Sequence, residues 1–331
     1  MTEKGVGRFN IYLNKTMENI ISLEARVEES DSQKRIDVVA ALYFKNFSRS
    51  TIQKWIKEEN LRVNGKIIKP KILVSTGDLI TVRAIPEKRS EDVPQKLDLD
   101  ILFEDLDLII IDKPHGLVVH PGAGNRDKTL MNGLLNYEES LSYLPRAGVV
   151  HRLDKDTSGL MVVAKNEASY MSLVKQLKDR SVRRNYSAVV VGEPISGDTI
   201  NLPIGRHPKI RTKQAVNPKG KEAITEFKVV KRMKGYSLLS ISLKTGRTHQ
   251  IRVHLSYRKF PIVGDRLYGG GKFAAKTSEE TKSILKLMTR QALHASSLSF
   301  VHPKTSESIK FQSNLPSDMS KLVNSLEARN A

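Results

Sequence analysis

The chain has 331 residues and no cysteine, and its 55 Lys and Arg against 36 Asp and Glu give a formal charge of +19. That length predicts two domains, and the missing cysteines exclude disulfides, Cys-ligated zinc, iron–sulfur clusters and thiol nucleophiles. No apolar run approaches the roughly 18 residues of a transmembrane helix, and the excess positive charge selects a polyanion, nucleic acid ahead of a membrane surface. Residues 1–32 mix charged and short apolar groups without a clear period and read as an N-terminal extension. The opening segment MTEKGVGRFNIYLNK holds no apolar stretch long enough for a signal peptide. From Lys34 the pattern sharpens. Ile36, Val39, Ala40 and Tyr43 recur at helical spacing, and Ser48 stands in an N-cap position ahead of Ile52, Trp55 and Ile56. Asn64-Gly65 between Val63 and Ile67 predicts a hairpin, and Thr76-Gly77-Asp78 precedes a strand over residues 79–83. Residues 33–85 therefore read as a small helix–helix–hairpin domain. Residues 31–90 hold 13 Lys and Arg against six Asp and Glu. Arg35, Arg49, Lys54, Lys57, Arg62 and Lys66 make this unit a candidate RNA-binding surface.

Residues 86–99, PEKRSEDVPQKLDL, are charged, carry two prolines and read as a linker. Beyond them, strands are predicted in the apolar runs 108–111, 160–164 and 186–191. Another is predicted over 238–243, where Leu239, Ile241 and Leu243 alternate with polar residues. Asn166 caps a helix that carries Tyr170, Leu173, Val174 and Leu177 on one face. Many strands with few helices between them predict an α+β fold, a mixed and mainly antiparallel sheet, over residues 100–325. The segment 206–234 holds ten Lys and Arg against two Glu, a net of +8.

Several chemistries are disfavoured by their missing motifs. Gly122-Ala123-Gly124 and Gly269-Gly270-Gly271-Lys272 lack phosphate-loop spacing. His249 and His254 stand five apart with no His-Glu-x-x-His, which argues against a metal site. No Gly-x-Ser-x-Gly is present for a serine hydrolase. The informative stretch is VVHRLDKDTSGLMVVAK, residues 149–165, which sets Arg152 and Asp154 in a turn just before a buried strand. A second dense polar cluster, Gly246-Arg247-Thr248-His249-Gln250-Ile251-Arg252, also adjoins a strand. Polar groups gathered at strand ends are costly to bury without partners, and such places are where sites are built.

These two segments resemble the signatures of the RluA-type pseudouridine synthases: His151-Arg152-Leu153-Asp154-Lys155-Asp156-Thr157-Ser158-Gly159-Leu160 and Thr245-Gly246-Arg247-Thr248-His249-Gln250-Ile251-Arg252-Val253-His254. The likeness extends through residues 113–125, Arg206-His207-Pro208 and Arg290-Gln291-Ala292-Leu293-His294-Ala295. It is closest to the branch that modifies large-subunit ribosomal RNA. The basic N-terminal unit resembles an S4 RNA-binding domain through Arg35-Ile36-Asp37, Ser48-Arg49 and Val63-Asn64-Gly65. The resemblance covers about residues 33–320, and it implies isomerisation of a uridine to its C-glycoside with no metal, nucleotide or organic cofactor. It implies that Asp154 is the obligate catalytic residue, acting either as a nucleophile on the sugar or as the base that removes the 2′ proton. Either role needs an ionised carboxylate, which a neighbouring guanidinium favours. Arg252 matches the position that pairs with the catalytic Asp, and Tyr186 matches the tyrosine beside the target base. Arg152 matches the residue that fills the space left by the flipped uridine, whose unstacking costs on the order of a few kcal/mol. Arg206 and Arg247 join the N-terminal cations as candidate RNA contacts.

The expected partner is RNA, either 23S rRNA or a pre-50S particle, and the enzyme is expected to be a cytoplasmic monomer. Three other readings compete: a paralogue acting on other rRNA or tRNA uridines, an RNA-binding ribosome-assembly factor with secondary catalysis, and an N-glycosidase that would release uracil.

Overall fold

The computed structural model describes residues 20–45, 47–85, 88, 92–122, 124–269 and 277–328. Its first strand, β1 (Ile21–Arg26), corrects, over 20–32, the reading of residues 1–32 as an extension; residues 1–19 lie outside the described residues. Side chains 21, 23 and 25 turn inward, and the strand pairs antiparallel along its whole length with residues 79–84. Six alternating residues are a weak signal, and the partner that orders them lies more than fifty residues away. The small domain continues with α1 (Ile36–Tyr43) and α2 (Arg49–Lys57), whose inner faces bury Ile36, Val39, Ala40, Ile52, Trp55 and Ile56. The Ser48 side chain caps α2 by accepting the Thr51 N–H at 3.1 Å. Strands β2 (Leu61–Val63) and β3 (Lys66–Ile67) flank Asn64 and Gly65, both at positive φ as a tight hairpin turn requires. With β4 (Leu79–Ala84) they form a sheet in the order β1-β4-β2-β3.

The reading of residues 86–99 as a linker is also corrected, over 92–99. The Gln95 N–H donates to the Asn132 carbonyl at 2.9 Å, and the Asn132 amide donates to the Val93 carbonyl at 2.8 Å. Leu99 packs on the large core. Pro94 signalled an extended chain, and residues 92–99 lie as one on the large domain.

Strands β5 (Ile101–Glu104) and β6 (Leu108–Lys113) open that body, followed by α3 (Leu130–Tyr137), β7 (Ser158–Ala164), α4 (Glu167–Lys178) and β8 (Arg183–Val191). Next come β9 (Asp198–Asn201), the hairpin β10 (Ile204–Arg206) and β11 (Gln214–Val216), then β12 (Ile224–Met233), β13 (Tyr236–Leu243) and α5 (Gln250–Tyr257). The chain ends in α6 (Glu279–Leu287), β14 (Leu293–Val301), β15 (Ser308–Gln312) and α7 (Ser317–Glu327). One nine-stranded sheet runs β5-β6-β7-β14-β8-β13-β12-β9, with β15 beside β14. The β7–β14 pair is parallel and the other pairs of the sheet are antiparallel. The expected mixed, mainly antiparallel α+β architecture is what the chain adopts.

The apolar runs in β6 and β7 follow from burial on both faces. Ile109, Ile111, Met161 and Val163 enter the core shared with α3 and α7. Leu108, Ile110, Leu160 and Val162 enter a second core shared with α4 and β15. Asn166 caps α4 as expected, but Val174 is exposed. Leu173 is the fully buried residue of the inner face, and Tyr170 and Leu177 pack beside it. At the start of α4, Glu167 Oε1 accepts the Ser48 N–H at 3.3 Å and the Thr51 hydroxyl at 3.1 Å, joining the small domain to the large one.

Candidate active site

Residues 149–157 lead into β7, and side chains from distant elements fix them almost residue by residue. His151 Nε2 accepts the Val162 N–H at 3.1 Å, so the loop folds back on the strand it precedes. Lys113, fully buried at the end of β6, donates from Nζ to the carbonyls of Pro114, Leu117 and Lys155 at 2.7, 2.9 and 3.1 Å. Arg290 Nη1 donates to the Asp156 carbonyl at 3.1 Å, and Gln291 Nε2 donates to the Thr157 hydroxyl at 3.2 Å. The Thr157 N–H closes a turn on the Asp154 carbonyl at 3.1 Å. Asp154 is left at the crest of this turn with a side chain 16% exposed.

A single guanidinium orients it. Arg252, on α5 and buried, donates from Nη1 to Asp154 Oδ2 at 2.9 Å. Its other edge grips Asp265 in a fork, Nε to Oδ2 at 2.7 Å and Nη2 to Oδ1 at 3.0 Å. Burial works against the Arg252 charge, but the bonds and charge of Asp265, and then of Asp154, outweigh it and raise its pKa. The guanidinium also lies 5.0 Å over the Tyr268 ring, and the Tyr268 hydroxyl is 2.8 Å from His249 Nδ1. The turn between β13 and α5 is held by Gln250, whose Oε1 accepts the Thr245 hydroxyl at 2.8 Å and the Arg247 N–H at 3.0 Å. Burial pushes the Tyr186 phenol on β8 above its ordinary pKa, so it stands neutral. Asp154, Tyr186, Thr245, Arg247, His249, Gln250 and Arg252 line one cleft of about 950 Å³.

A family model described as RNA pseudouridylate synthase matches residues 107–257, and an S4 domain model matches residues 34–80. The chain is 44% identical over 311 residues to the ribosomal large subunit pseudouridine synthase D of Xylella fastidiosa strain Temecula1, spanning 94% of each chain. Against the protein of the same name from Escherichia coli strain K12 it is 44% identical over 310 residues, 93% of this chain and 95% of that one. The chain belongs to the RNA pseudouridylate synthase family. Among solved structures it is similar to Human RNA Pseudouridylate Synthase Domain Containing 4, with a TM-score of 0.55 and 26% identity. That match covers 68% of this chain and 92% of the human one.

In this pseudouridine synthase the cleft gathers Asp154, Arg152, Tyr186, Arg252 and Arg247. Arg152 is exposed and has no hydrogen-bond or ion-pair partner among the described residues, whereas Arg247 Nε donates to the Glu222 carbonyl at 2.9 Å. The remaining candidates lie outside the cleft lining. Arg35 and Arg49 both pair with the fully buried Asp37, which also accepts from Gln53, so these two cations first serve the fold of the small domain. Lys54 sits 3.7 Å from Glu58, and Arg62 and Arg206 are exposed on β2 and β10. His254, weighed above as a metal ligand, is buried between the Thr225 hydroxyl and the Leu202 carbonyl, both at 2.9 Å. Among the described residues, Asp105, Asp107 and His302 lie close enough to share a cation. None lines the cleft, and both His302 nitrogens are engaged, Nε2 by Asp105 and Nδ1 by two backbone N–H groups. The glycine-rich stretch at 269–272 lies, beyond Gly269, outside the described residues.

Sequence reasoning missed Asp265 and the anchoring roles of Lys113, His151 and Gln250. Nothing in the local sequence separates Asp265 from a surface aspartate, because only the fold brings it to Arg252.

Proposed function

We propose that this enzyme converts uridines of large-subunit ribosomal RNA to pseudouridine in the cytoplasm, with Asp154 as the group that attacks the sugar or removes its 2′ proton. The N1–C1′ bond breaks, the uracil turns, C5 bonds to C1′, and the C5 proton leaves while N1 gains one. The product is an isomer of the substrate, so the balance calls for no oxidant, reductant or co-substrate. Arg252 holds the Asp154 carboxylate in place at the cleft wall through its 2.9 Å bond. Tyr186 lies beside the base and assists late proton transfer at C5, and the exposed Arg152 fills the stack the uridine vacates. The observation that carries this reading is the Asp154–Arg252–Asp265 chain at the wall of a cleft that also holds Tyr186. The names of the close relatives supply the substrate class.

The test maps pseudouridine by carbodiimide labelling and primer extension in ribosomal RNA from cells lacking the gene, complemented with wild-type or Asp154→Asn protein. Wild type restores the missing sites. Asp154→Asn restores none, with activity down by more than about 10⁴-fold, the scale for removing an obligate catalytic group. The variant stays folded and binds RNA, since Arg252 keeps its two bonds to Asp265. Ribosomal RNA that is unchanged in all strains would overturn the substrate class. A growth defect rescued by Asp154→Asn would instead favour the assembly-factor role.

A further inference from the structure

Arg184 stands two residues before Tyr186 on β8, so both side chains leave the same face of the strand. It lines the cleft and is only 9% exposed. Its Nε is buried without a hydrogen-bond partner, and no carboxylate among the described residues forms an ion pair with it. A buried N–H left without an acceptor forfeits the hydrogen bond it made to water, so this edge of the guanidinium awaits a partner. Neither cleft-lining carboxylate offers it relief: Asp154 is held by Arg252, and Asp92 forms no ion pair with it.

The guanidinium lies against the Gly246 backbone: a Cβ there would come within 2.8 Å of Arg184 Nη1. Arg152, Arg180 and Arg247 line the same cleft, so the missing counter-charge must come from the ligand. A uracil carbonyl would supply a hydrogen bond but no charge. A phosphodiester supplies two non-bridging oxygens that share one negative charge and match the guanidinium fork.

We propose that Arg184 binds the backbone phosphate adjoining the target uridine and so fixes the sugar whose base lies beside Tyr186. This rests on the reading of the cleft as the RNA site. Two strand residues separate the side chains by roughly 7 Å, which places the phosphate and the base of one nucleotide within joint reach.

The test uses a stem-loop on which wild-type protein has been seen to form pseudouridine, so a failure of the functional reading registers beforehand and separately. Affinity is measured in the Asp154→Asn background, with single methylphosphonates walked across the phosphates around the target. In the parent, neutralising one adjoining phosphate weakens binding about tenfold. Arg184→Met should bind the unmodified RNA about tenfold more weakly and lose its sensitivity to that one methylphosphonate, while Arg184→Lys keeps most of both. The Tm of Arg184→Met should equal or exceed the parent's, since a buried N–H without an acceptor has been removed. The proposal is overturned if Arg184→Met remains as sensitive as the parent at every phosphate, or if its defect is a lowered Tm.

Discussion

His151 carries no charge in the folded enzyme, because burial, and then the nearby Arg184 guanidinium, push its imidazole down to about 3. Its Nε2 must stay unprotonated to accept the Val162 N–H that shapes the catalytic turn. The sign of the linkage follows from this. Between the ordinary histidine pKa of about 6.5 and the depressed value, the unfolded chain binds a proton that the native chain refuses, so stability rises with pH across that window. The contribution is complete above about pH 6.5 and is lost as acidification proceeds toward pH 3, with a slope of at most about 1.4 kcal/mol per pH unit. Urea unfolding from pH 7 to 4 should show wild type losing stability more steeply than His151→Asn, whose amide oxygen can accept the same N–H without titrating. Parallel pH profiles for the two proteins would remove His151 from the acid response.

The β7–β14 pair shows how an element, rather than a residue, sets the position of the catalytic turn. The Ser158 hydroxyl lies 3.0 Å from His294 Nδ1, and the two backbones come so close at Gly159 that a Cβ there would meet the Ala295 carbonyl oxygen at 2.4 Å and its nitrogen at 2.5 Å. Gly159 also sits at φ +115, where an L side chain is strained whatever the space. Gly116 has φ +82 but open space around its Cβ position. Gly159→Ala should therefore cost at least about 3 kcal/mol, strain and clash together, whereas Gly116→Ala should cost about 1–2 kcal/mol from strain alone. Denaturant midpoints compare the two directly, and equal losses would mean the parallel pair is not as tight as its backbone contacts indicate.

For the molecule as a whole, the charge of +19 is partly internal. Arg35 and Arg49 are drawn onto Asp37, and Glu167 ties the cap of α2 to the catalytic body. Residues 206–234 carry a net +8, and exposed cations such as Arg62, Arg152 and Arg206 lie open to RNA phosphates. If about six are neutralised, log K for RNA should fall against log salt with a slope of roughly −5. Fluorescence anisotropy across a salt series measures it, and a slope near zero would argue against a backbone-dominated interface.

Local chemistry was enough to place much of the chain from sequence. The Ser48 and Asn166 caps, the Asn64-Gly65 turn, the doubly buried runs of β6 and β7 and the alternation in β13 each depend on neighbours a few residues away. The two polar segments around Asp154 and Arg252 were legible for the same reason, as contiguous stretches whose residues would be costly to bury without a use. Tertiary structure alone decided the rest. It paired β1 with β4, laid residues 92–99 along α3, and turned Val174 to solvent. It also brought Lys113, Arg290 and Gln291 onto the turn that carries Asp154, set Asp265 against Arg252, and left Arg184 Nε beside Tyr186 without a partner among the described residues. Each of these depends on groups tens to more than a hundred residues apart, and a carboxylate or guanidinium carries no mark in sequence of whether its counter-charge will be protein, water or RNA.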